Sequence, residues 1–141
     1  MEFLFFDLFI FYLNDSKRLY NFNFESLMEN NLVSMAKLQL RSFTNDLRSD
    51  DEDIRKVLDF GYSWDGKTAL LFEIRPQWNN PEEILSVEFT KLKYNKSRKS
   101  WNLYCERASG KWELNPYKSE SINLHELLDE ISKDTHGCFF S

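Results

Sequence analysis

The sequence predicts an α+β fold, an antiparallel meander of about five strands flanked by an N-terminal and a C-terminal helix. Three observations predict it. Apolar residues alternate on both sides of Asp65-Gly66, between Val57 and Trp78. Shorter alternating runs follow at 85–94, 101–105 and 112–114. Apolar residues recur at spacings of three and four in two further stretches, Leu32 to Leu47 and Leu124 to Ile131. Strands repeat every two residues and helices every 3.6, so these patterns separate the two kinds of element. Strands grouped in a run between helices, rather than alternating with them, imply an antiparallel sheet.

The chain has 141 residues, 42% hydrophobic and 29% charged, which is one domain's worth of ordinary globular composition. The opening run, Met1 to Leu13, is too short to span a bilayer and is interrupted by Asp7. It starts with Glu2 where a secretory signal has a basic residue, so no membrane association and no leader are expected. Residues 1–34 are rich in Phe and Asn and are expected to be an extension preceding the native start, with methionines available at Met28 and Met35. Residues 35–141 form the expected single domain. Two cysteines, Cys105 and Cys138, read as free thiols in a reducing cytoplasm.

Leu32, Ala36, Leu40, Phe43 and Leu47 make the stripe of an amphipathic helix ending near Ser49, followed by a solvated acidic turn at 50–53. In the first hairpin, a three-residue loop Trp64-Asp65-Gly66 sets Phe60 against Leu70 and Leu58 against Phe72, gathering the apolar residues on one face. Asp59, Glu73 and Arg75 then share the other. Pro76 and Pro81 place 76–83 in a loop. Leu85, Val87 and Phe89 alternate as a third strand running towards Tyr94, and Trp101, Leu103 and Cys105 form the inward face of a fourth. A two-residue Ser109-Gly110 turn sets Leu114 against Cys105 in the fifth. Ser121 to Lys133 is the closing helix, capped by Ser121 or Asn123, with Gly137 beyond its end.

The segments Leu58-Asp-Phe-Gly-Tyr62, Leu71-Phe-Glu-Ile-Arg-Pro-Gln-Trp78, Trp101 with Gly110-Lys-Trp112, and Thr135-His-Gly-Cys-Phe-Phe140 resemble the bacterial domain of unknown function 3024 family, from about residue 35 to the end. That resemblance implies a small cytoplasmic bacterial domain and brings no functional residue with it.

Four groups of residues carry possible chemistry. Asp59 and Glu73, with Arg75 nearby, have the pattern of a metal-dependent nuclease or phosphodiesterase holding Mg²⁺ between two carboxylates. Arg75 stands where such sites carry lysine; it can clamp phosphate but cannot act as a base, and an exposed charge cluster is the expected outcome. The formal net charge of -5 opposes bulk affinity for nucleic acid, yet residues 91–118 are locally basic and aromatic. Lys91, Lys93, Arg98 and Lys99, with Tyr94, Tyr104 and Tyr117 as stacking residues, suit a single strand; Trp101 and Trp112 are expected to point inward. Cys138, His136, His125 and Cys105 lack the tight pairs of a zinc site and read as packing residues. Trp78 beside Arg75 is a candidate protein contact. The expected function is therefore a binding module, for nucleic acid or a protein partner, with no catalysis and no cofactor unless Mg²⁺ serves the hydrolase alternative.

Overall fold

A computed structural model describes residues 17–140, and side chains from Phe24 onward. The expectations for the run before Lys17 lie outside the described residues. By its contacts the chain divides into Met1–Met35 and Ala36–Ser141. The described part of the first unit is helical, within α1 (Lys17–Leu47), and exposes Leu27, Met28 and Met35. No described helix is long and apolar enough to cross a membrane.

The second unit holds the sheet. From Ala36 the helical stripe turns inward, with Ala36 and Leu40 buried and Phe43 and Leu47 packed on the core. The acidic turn expected at 50–53 is instead the start of a short helix, α2 (Glu52–Val57). Asp51 caps it by accepting from the Asp53 amide at 2.8 Å, so the acidic cluster starts a helix whose positive end it favours.

Six strands follow: β1 (Asp59–Trp64), β2 (Thr68–Gln77), β3 (Asn80–Asn95), β4 (Ser100–Glu106), β5 (Trp112–Leu114) and β6 (Glu120–Ser121). The first five pair in chain order as an antiparallel meander, and β6 pairs with the first half of β4. The last helix is α3 (Leu124–Lys133). Leu124, Leu127, Leu128 and Ile131 of α3 join Leu71, Leu92, Trp101 and Leu103 in one buried cluster, which makes the fold α+β. Burying each leucine side chain removes apolar surface worth about 1.5–3 kcal/mol.

The register of the first hairpin differs from expectation. Its closing pair is Trp64 with Ala69, and Phe60 stands opposite Glu73, not Leu70. The longer loop has a local cause: Asp65 Oδ1 accepts from the Lys67 and Thr68 amides at 2.8 and 2.6 Å, and Gly66 adopts φ 94°. Those bonds also hold the Asp65 carboxyl below its usual range, the Thr68 amide contributing most. With an odd register sum, the even residues of β1 share a face with the odd residues of β2. The core-facing set is Phe60, Tyr62 and Trp64 with Ala69 and Leu71, while Leu70, Phe72 and Ile74 face the other way.

A bulge keeps β3 in step. Leu71 pairs with Thr90 and Phe72 with Glu88, which leaves Phe89 as the extra residue. Phe89 and Thr90 are therefore both buried, and the inward positions change from odd to even along β3. Beyond Asp59 of β1 and before Thr90 of β3, the β2–β3 ribbon has no neighbouring strand among those described. The expected 76–83 loop is the end of this two-stranded arm. Pro76 and Pro81 lie within strands: Pro76 pairs with Ile84, and Pro81 falls in the register shift between Pro76 and Gln77, where β3 is out of step with β2.

The β4–β5 turn corrects the other loop. Glu106 pairs with Trp112 and Tyr104 with Leu114, and Arg107 bonds to the Lys111 carbonyl across Ala108-Ser109-Gly110. Gly110, at φ 83°, supplies the left-handed residue of a three-residue loop.

Candidate functional site

Within the second unit the residues from Ala36 to Leu47 and α3 pack on one face of the sheet, and the ladder registers define what lies on the other. One row crosses all five strands: Ser63, Leu70, Lys91, Tyr104 and Leu114 are successive cross-strand partners. Alongside it run Gly61 with Phe72, and Glu106 with Trp112. A Cβ on Gly61 would come within 2.5 Å of the Phe72 ring, which fixes Phe72 over the glycine on this face. Lys91 Nζ lies 5.5 Å from the centroid of Tyr104 and 5.9 Å from that of Trp112. Both distances are within cation–π range. Lys93 and Asn102 are cross-strand partners on the same side. The face thus presents two aromatic rings flanking an ammonium, bordered by Leu70 and Phe72.

The structure sorts the predicted binding residues. Lys91, Lys93 and Tyr104 come together here. Arg98 and Lys99 occupy the β3–β4 turn; Arg98 donates to Glu120 at 2.7 Å and exposed Lys99 has φ 50°. Tyr94 does not join them. It pairs with Trp101 on the covered face, ring centroids 5.1 Å apart, away from Lys91 and Tyr104. Trp112, expected inward, replaces it on the open face because the three-residue loop gives β5 an even register sum. Tyr117 stacks on His136 at 3.5 Å. Arg75 and Trp78 lie at the arm: Trp78 is 91% exposed at its tip, and Arg75 is 3.6 Å from Glu73.

The carboxylate pair is not assembled as expected. Asp59 stands opposite Ile74 and Phe60 opposite Glu73, so Asp59 and Glu73 point to opposite faces. The shared face inferred from a three-residue loop is thereby corrected. Asp59 instead takes a two-pronged bond from Arg48, Nε to Oδ1 at 2.7 Å and Nη2 to Oδ2 at 2.9 Å. This guanidinium holds the Asp59 carboxyl below its usual range, against a smaller opposing effect of burial. Among the described residues, no group of three His, Cys, Asp or Glu is placed to hold a metal ion.

An open groove of about 350 Å³ lies on the helical side, lined by Phe43, Asp46, Leu47, His125, Leu128 and Asp129. Sequence reasoning missed it, since it depends on how two helices meet. It also missed the pairing of Lys91 with Trp112, for which the Gly110 turn was the available signal.

No curated protein and no solved structure matches the chain. The family model described as Domain of unknown function (DUF3024) matches residues 30–141, covering the whole sheet, α3 and the tail, and the chain belongs to that family.

Proposed function

We propose that the protein is a non-catalytic binding module whose open sheet face takes single-stranded nucleic acid. The observation that carries this reading is Lys91 held between Tyr104 and Trp112 on the sheet face opposite the buried cluster. A sheet face with half-buried rings such as Tyr104 and Trp112 offers planes on which unpaired bases stack, and neighbouring ammonium groups neutralise the strand's phosphates. Lys93 and Lys99 add positive charge in the same segment, while Arg98 is paired with Glu120. The net charge of -5 is compatible with this, because the basic residues are concentrated in one segment.

Titration of labelled oligo-dT or oligo-U by fluorescence anisotropy tests the reading. Tyr104→Ala and Trp112→Ala should each weaken binding by about tenfold or more, the usual worth of one stacked base. Lys91→Ala should weaken it and lower the slope of log affinity against log salt by about one. Lack of binding at low salt would dismiss the proposal.

A protein-partner reading is favoured by one separate observation, the 91% exposure of Trp78 at the tip of the arm. A tryptophan left in water on a projecting ribbon suits insertion into a partner's pocket. A contact of this kind should be lost in Trp78→Ala and respond weakly to salt, the reverse of the phosphate signature. The hydrolase alternative has no comparable support, since its two carboxylates lie on opposite faces.

A further inference from the structure

The chain's two cysteines come from distant segments, and the fold brings them together. Cys105 lies on the covered face of β4, 3% exposed, directly across the ladder from Thr90. After α3 the tail turns back. The Asp134 carboxylate accepts from the amides of Cys138, Phe139 and Phe140 at 2.7, 3.1 and 2.8 Å, curling the tail around one side chain. Phe140 then packs on Phe60 and Phe89, beside Thr90. Cys138 packs against the buried cluster that contains Cys105, near enough to help raise that thiol.

The surroundings are asymmetric. Cys138 is half-buried whereas Cys105 is enclosed. Burial, and secondarily Cys138 itself, pushes the Cys105 thiol up. The Arg107 guanidinium is within electrostatic reach of both sulfurs. Thr90 buries a hydroxyl with no hydrogen-bond partner opposite Cys105, a donor available to that sulfur once it carries charge. An enclosed thiol beside a more accessible one is the arrangement of a resolving and an attacking cysteine.

We propose that Cys105 and Cys138 are a redox pair that closes to an intramolecular disulfide by exchange with a low-molecular-weight disulfide of the glutathione class. The Cys138 thiolate attacks one sulfur of the small disulfide, breaking its S–S bond and releasing one thiolate, which takes up a proton. Cys105 then gives up its proton and attacks the Cys138 sulfur, and the second small thiol leaves. Two protein thiols are oxidised to one disulfide, and one small disulfide is reduced to two thiols. The product staples the C-terminal tail to β4.

The test equilibrates the native full-length chain in buffers of graded glutathione to glutathione disulfide ratio, followed by acid quench, alkylation and peptide mass analysis without reductant. The expected result is a cross-linked peptide pair carrying Cys105 and Cys138, lighter by two hydrogens, that appears in a single two-electron transition. Cys105→Ser should stop at a stable glutathione adduct on Cys138, and Cys138→Ser should form no cross-link. Should Cys105→Ser fail to fold, the wild-type titration alone decides. Two thiols that stay alkylatable at every ratio, a glutathione adduct that persists on the wild type, or a cross-link formed only in urea would each overturn the proposal.

Discussion

At the scale of single residues, two contacts have measurable consequences. Arg48 and Asp59 join the end of α1 to the start of β1. Because Asp59 titrates below its unfolded value of about 3.9, its contribution is fully present above that pH and is lost as pH falls through the folded value. Asp59→Asn should therefore lower the melting temperature by a few degrees at pH 7, with the difference from wild type shrinking below about pH 4. Thermal melts across pH 3 to 7 check this; a difference that stays constant over the range would contradict the assignment.

Gly61 and Phe72 give a second case. Alanine at 61 restricts the unfolded chain, which alone favours folding by about 0.4–1 kcal/mol, but its methyl meets the Phe72 ring. Gly61→Ala should stabilise a Phe72→Ala protein and do less, or harm, in the wild type, a coupling of about 0.5–3 kcal/mol in a double-mutant cycle. Little of this was legible in sequence. Whether Tyr94 or Trp112 faces outward depends on parity, and one residue more or less in a loop reverses it.

At the scale of elements, α3 and its tail behave as one device. Asp134 ends the helix in a left-handed conformation, φ 40°, while its carboxylate gathers three tail amides. Asp134→Gly relieves the backbone yet removes the carboxylate that accepts from all three tail amides, so hydrogen exchange at Cys138, Phe139 and Phe140 should rise sharply although the helix end is no longer strained. Exchange unchanged from wild type would show that packing alone holds the tail. Phe139, buried against the core, should cost about 3–5 kcal/mol in Phe139→Ala by denaturant unfolding.

The elements themselves were largely readable. The Ala36 to Leu47 stripe, the alternation in β4 and the Leu124 to Ile131 face each use one period, with burial following it. What escaped was their phase. The Asp65 turn depends on a side chain capturing two amides, and the Phe89 bulge answers a mismatch between two strands, so neither follows from the periodicity of any single segment.

At the scale of the molecule, the sheet separates two surfaces of different chemistry, the Lys91 face and the Trp78 arm. If they serve separate partners, Trp78→Ala should leave affinity for an oligonucleotide within twofold of wild type and stability within about 0.5 kcal/mol, since an exposed ring adds little to the folded state. The α+β class was legible because element order and grouping survive errors of register. The pairing of Asp59 with Glu73 was not, because it rested on one loop length.

The arm has a further consequence through its bare margin. From Pro81 to Glu88 one edge of β3 faces no strand among the described residues, and the segment Ile84-Leu85-Ser86-Val87 has the composition of a sticky ribbon. Pro81 withholds a donor, and Glu82, Glu83 and Glu88 set like charges where two copies would zip together. These four residues act as gatekeepers, so exchanging Pro81 for Val and Glu82 and Glu83 for Thr should turn a dispersed protein into one that forms fibrils and binds amyloid dyes.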